Sequence, residues 1–109
     1  MRAGIRLMLM NREKLMGPGT KILLENIETT HSIKEASRVM EMSYTKALRI
    51  LQTLERELGY SVVISQKGGI QRGGTQLTLE GEKVLRAYEE IEQKVLAYAQ
   101  ALVDEKFEA

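Results

Sequence analysis

Near the middle of the chain, Ser43, Tyr44, Thr45, Lys46 and Arg49 combine side chains suited to binding nucleic acid. Lys and Arg bind guanine edges or phosphate oxygens, Thr and Tyr hydroxyls donate to either, and the free amides of a helix start favour phosphate. Two further cations, Lys67 and Arg72, share a segment with Gly68, Gly69, Gly73 and Gly74, whose missing side chains allow close approach to a polyanion. A P-loop is excluded there, because it needs Gly-Lys-Ser/Thr running into a helix, whereas Gly73-Gly74-Thr75 runs into a strand pattern. Catalysis finds little to work with. The chain has no Cys and one His, so disulfides, a thiol nucleophile and a His-rich metal cage are ruled out. His31 falls in a turn with no Ser/Asp or metal partner in sight, which suits a capping or surface role. The carboxylates sit mainly on helix surfaces, and none marks a general acid/base pair. No catalytic residue, no metal ligand and no cofactor is expected.

The elements around the central run explain how it is presented. Ser32-Ile33-Lys34-Glu35 has the form of a capping box, with Ser as the cap and Glu reaching back to its amide. Ile33, Ala36 and Met40 follow at helical spacing, so a short helix ends near Met40 and Glu41-Met42 makes a tight connection. Ser43 then caps a longer helix with Ala47, Ile50, Leu51, Leu54 and Leu58 on its apolar face, and Gly59 stops it. Ala36, Met40 and Met42 would face inward around the turn, and Ala47 is small where the two helices cross. This is the spacing of a helix-turn-helix, whose second helix offers its first residues to the major groove.

Upstream, residues 4–16 read as a short hairpin turning at Asn11-Arg12. Gly17-Pro18-Gly19 punctuates the chain, and Ile22, Leu23 and Ile27 predict a first helix from Thr20 to Thr30. Downstream, Ser61–Ser65 is a β-branched strand, Lys67–Gly74 a basic loop and Thr75–Leu77 a shorter strand. Thr78 caps the last helix, with Glu80 and Glu82 in its first turn at the positive end of the helix dipole.

That last helix is long. Val84, Tyr88, Ile91, Val95, Tyr98 and Leu102 recur in alternating steps of four and three, the pattern of a coiled-coil seam. From Leu79 to Lys106 the rod would measure about 42 Å at about 1.5 Å per residue, more than a small body covers. Val84 and Leu85 are expected to pack on the body. Tyr88, Ile91, Val95, Tyr98 and Leu102 are expected to form a homodimer interface.

Length and charge agree with this picture. The chain has 109 residues, 43% of them hydrophobic, which supports one modest core and one domain. Its net charge of +1 hides a split: residues 1–75 carry 12 Lys and Arg against 7 Asp and Glu, and residues 76–109 carry 4 against 8. A basic body with an acidic tail suggests that one end meets a polyanion. The apolar run Leu7–Met10 is too short for a signal-peptide core or a membrane span. The expected fold is mainly α with a small β wing: an N-terminal hairpin over 1–16, a winged helix over 17–78 and a dimerisation helix over 79–107.

Residues 32–59 resemble the helix-turn-helix of LysR-type regulators, down to Leu54-Glu55 and the Glu57-Leu58-Gly59 ending, and Thr78-Leu79-Glu80-Gly81 is similar to the start of their dimerisation helix. The N-terminal hairpin, Gly17-Pro18-Gly19, Ser43-Tyr44 and the paired glycines of the wing resemble more closely the ModE-type, molybdate-dependent regulators. The resemblance covers roughly residues 5–100 and implies a dimeric winged-helix DNA-binding domain. Those regulators continue into a ligand-binding domain; none is evident in this chain, so molybdate sensing is not carried over, nor is an operator sequence. The expected function is a cytoplasmic, nucleoid-associated transcription regulator acting on double-stranded DNA as a homodimer, without membrane contact. The alternative is an assembly adaptor that uses the same winged helix and coiled-coil helix to bind protein.

Overall fold

Helically spaced apolar residues between capping and turn residues give, among the described residues, four helices and two small sheets. In the computed structural model, which describes residues 1–65 and 74–108, the order is β1 (Leu9–Met10), β2 (Lys14–Met16), α1 (Pro18–Thr30), α2 (Ile33–Val39), α3 (Tyr44–Leu58), β3 (Val63–Ser65), β4 (Thr75–Leu77) and α4 (Leu79–Phe107). β1 pairs antiparallel with β2, Leu9 facing Met16. β3 pairs antiparallel with β4 in the register Val63–Leu77, Ile64–Gln76 and Ser65–Thr75.

The helix boundaries follow local chemistry. α1 begins at Pro18, ahead of the expected Thr20, because the fixed φ of Pro suits a first helical position and its missing N–H is not needed there. It ends at His31, which caps it in the left-handed conformation (φ 59°) and donates its amide to the Ile27 carbonyl. Ser32 caps α2, its hydroxyl accepting from the Glu35 amide at 3.0 Å. Only this half of the expected capping box forms. Glu35 turns to pair with Arg38, and the Ser32 amide donates to Thr30 Oγ1 at 3.3 Å instead. Between α2 and α3 the chain reverses through Glu41 (φ 55°), and the Met42 amide donates to the Ser37 carbonyl at 3.0 Å. Gly59 ends α3 at φ 83°, a conformation a side chain would strain.

α1 is the central helix, touching α2, α3, α4, β2 and β4. Thr20, Leu23, Leu24 and Ile27 form its buried arc. Ile22, expected to face inward, is 43% exposed: the arc of steps three and four that begins at Thr20 leaves position 22 on the outside. Ala36, Leu51, Leu54, Val62, Leu77 and Leu85 close the core around it. Met40 and Met42 are half-buried against this cluster at the turn, and Ala47 is fully buried in the first turn of α3.

The N-terminal segment departs from the expected hairpin over 4–16. Strand pairing is confined to β1 and β2, with an irregular register between Leu9 and Met10. Preceding residues lie along α4 instead. Ala3 N donates to Gln100 Oε1 at 2.7 Å, Gln100 Nε2 to the Met1 carbonyl at 3.1 Å, and Tyr88 Oη to the Leu7 carbonyl at 2.8 Å. These side chains supply the partners that the extended backbone would otherwise find in a strand. α4 reaches well past the body, giving overall dimensions of 60 × 28 × 24 Å. Among the described residues, no helix is long and apolar enough to cross a membrane.

Candidate nucleic-acid interface

The start of α3 is built to be presented. Ser43 Oγ accepts from the Lys46 amide at 3.0 Å, fixing the first turn, while buried Ala47, Leu51 and Leu54 hold the opposite face in the core. Ser43, Tyr44, Thr45, Lys46 and Arg49 are all exposed, Tyr44 to 49%. Ser43 therefore has its cap role settled, with its hydroxyl hydrogen still free to donate outward. α2 stands beside this face: Lys34 and Arg38 share a shallow surface depression with Met42 and Tyr44.

A second concavity adjoins the first turn of α3. It is a groove of about 370 Å³ whose lining includes Lys46 and Arg49 together with Arg6 and Lys14. Arg6 and Lys14 were not singled out in the sequence, where neither belongs to the helix pair or the Gly-rich segment. The only signal available was that the residues preceding α1 carry Arg2, Arg6, Arg12 and Lys14 against a single Glu13.

The remaining sequence candidates divide. Lys67 and Arg72 lie outside the described residues. Ile91 (39% exposed), Val95 (45%), Tyr98 (69%) and Leu102 (37%) form an open apolar stripe along α4. Tyr88 does not belong to it. Its ring is fully buried and its hydroxyl is bound to the Leu7 carbonyl, so it serves the chain's own core rather than a partner. Val84 is half-buried and Leu85 fully buried, both against the body.

Glu55 has a role that its place in the sequence did not reveal. Its carboxylate accepts from the amides of Val62 (2.8 Å) and Val63 (3.3 Å), tying the end of α3 to β3. Arg86 joins α4 to α1 through Glu28 at 2.6 Å and also holds Glu89 at 2.8 Å, and its pKa is raised first by the Glu28 hydrogen bond and then by that of Glu89. Among the described residues, no group of three or more His, Cys, Asp or Glu could hold a metal ion.

Comparison with known proteins shows what the chain is similar to. The chain is 37% identical over 70 residues to the molybdenum transport protein ModE of Azotobacter vinelandii, and 39% identical over 80 residues to the molybdenum-pterin-binding protein MopB of Rhodobacter capsulatus. The chain carries a ModE-type domain. The matches take in 64% and 73% of this chain but span only 26% and 30% of the two relatives. No protein-family model matches the chain. These relatives support the ModE-type resemblance, while the LysR-type likeness rests on residues 32–59 and 78–81 alone.

Proposed function

We propose that this ModE-type domain is a sequence-specific, DNA-binding transcription regulator that works as a homodimer. α2, its tight turn and α3 act as a helix-turn-helix, with the start of α3 in the major groove. The β3–β4 hairpin acts as the wing, the sequence between its strands carrying Lys67 and Arg72. One observation carries the reading: a capped helix start presents Tyr44, Thr45, Lys46 and Arg49 together on an exposed face, with its other side anchored in the core. A rigid element offering cations, hydroxyls and free amides is what direct readout of base edges requires. Such a protein works in the cytoplasm, on the chromosome, and performs no catalysis. The molybdenum in the relatives' names belongs to proteins much longer than the matched segment, and no molybdate site is proposed for this chain.

The apolar stripe Ile91–Val95–Tyr98–Leu102 favours protein contact and keeps the adaptor reading in play. One titration separates the two. A DNA regulator binds random duplex at low salt and loses it steeply as salt rises, because bound cations release counterions from the phosphates. On a selected site, Lys46→Ala or Arg49→Ala should cost about 1–3 kcal/mol and relax preference at particular base pairs. Lys106→Ala, far along α4, is the control; Arg86 is unsuitable because it braces α1 against α4. Equal losses in test and control would sink the groove assignment, and no duplex binding at low salt would favour the adaptor.

A further inference from the structure

We infer that Arg6 and Lys14 bind backbone phosphate of duplex DNA together with Lys46 and Arg49, which makes the N-terminal segment and β2 a second arm of the interface. The inference rests on the DNA-binding reading above and adds to it a phosphate site outside the helix pair and the wing.

Four cations from three stretches of chain line one groove of about 370 Å³, and none of the lining residues is a carboxylate. Among the described residues, none of the four forms an ion pair, whereas Lys21, Arg38, Arg86 and Lys94 each lie against a glutamate. Folding that gathers like charges without internal compensation raises the positive potential there and draws an external anion. β2 packs on α3, so Lys14 is carried on an element fixed to the helix that bears Lys46 and Arg49. Gly17, Pro18 and Gly19 line the same groove.

The shape selects the source of the anion. All four cations are exposed, so the groove is an open trough along the surface rather than a closed cage for a small ion. It is also continuous with the proposed reading face, because Lys46 and Arg49 belong to both. A phosphate held beside the recognition helix would set the register in which that helix meets the bases.

The test uses the full chain and a labelled random-sequence duplex, titrated over a salt series. Arg6→Gln and Lys14→Gln should each reduce the slope of log affinity against log salt by about 0.9, and the double variant by about 1.8. The loss should be equal on duplexes of different sequence. Because Lys14 is exposed, Lys14→Gln alone decides the matter should Arg6→Gln lose its fold by circular dichroism. Slopes equal to wild type, or a loss confined to one sequence, overturn the inference alone. Wild-type protein that binds no duplex at any salt overturns the DNA-binding reading along with it. Inorganic phosphate at matched ionic strength separates the remaining source. If phosphate raises the melting temperature of wild type but not of the double variant, while the DNA slopes stay unchanged, the groove takes a free oxyanion and the inference falls.

Discussion

Gly81 has no space for a side chain. A Cβ there would stand 2.1 Å from the Val62 carbonyl oxygen, and the obstacle is backbone, which cannot rotate away. That carbonyl is also engaged by the Thr78 amide at 2.9 Å, so the first turn of α4 and the residue before β3 are locked together. Gly81→Ala should therefore destabilise the protein by about 1–3 kcal/mol or more through overpacking. Gly19, with nothing within 4 Å of its Cβ position, should take Ala with a change of no more than about 1 kcal/mol and of stabilising sign. Urea unfolding of the two variants makes the comparison, and equal stabilities would show that α4 can slide off Val62. The motif Thr78-Leu79-Glu80-Gly81 was visible in the sequence, but its reason was not: steric closeness to residue 62 is a tertiary fact with no local signature.

At the level of elements, α1 and α4 are joined by a polar seam as well as by apolar contact. Lys21 meets Glu92 at 2.6 Å, Arg86 meets Glu28, and the carboxyl groups of Glu25 and Glu89 face each other. Burial, and then the hydrogen bond to Glu89, push the Glu25 pKa up, with Lys21 opposing; Glu89 is held low by Glu25 and then by Arg86. An acid with a raised pKa in the folded state binds its proton more tightly there than when unfolded. Its contribution to stability is present below the ordinary glutamate value and lost as pH rises through the raised one. Glu25→Gln keeps a donor toward Glu89 at every pH. Relative to wild type it should therefore gain stability between acid and neutral pH, read as a shift in the urea midpoint; a pH-independent difference would rule out the shared proton. None of this seam could be read from the sequence, because pairing between residues so far apart depends on how α1 lies on α4. What local patterns did show were the caps Ser32, Ser43 and Thr78, the stop at Gly59 and both strands of the second sheet. Residues 4–8 misled because an apolar run beside a turn reads as a strand whether its backbone partners come from another strand or from a helix's side chains.

For the whole molecule, the stripe on α4 is the proposed dimer seam. The heptad spacing predicted five seam residues, and four of them stand open; Tyr88 is withdrawn because spacing alone cannot tell a partner's surface from the chain's own N-terminal segment. In the proposed dimer, Ile91→Asp puts a carboxylate into an apolar seam, where it lacks a partner. Sedimentation should then find monomers with unchanged circular dichroism, since Ile91 is outside the core, and affinity for a palindromic site should drop toward that for a half-site. A variant that remains dimeric would assign the stripe elsewhere. The strap of residues along α4 has a consequence for the order of folding. Beyond Glu92, among the described residues, the hydrogen bonds and ion pairs of α4 and its cap to the rest of the chain all end at Met1 and Ala3, closing spans of 97 to 107 residues. So wide a loop is slow to close, and a helix tip of a few turns is marginal without tertiary support. The distal half of α4 should accordingly gain its amide protection last during refolding, after the body has formed, and lose it first in native-state exchange.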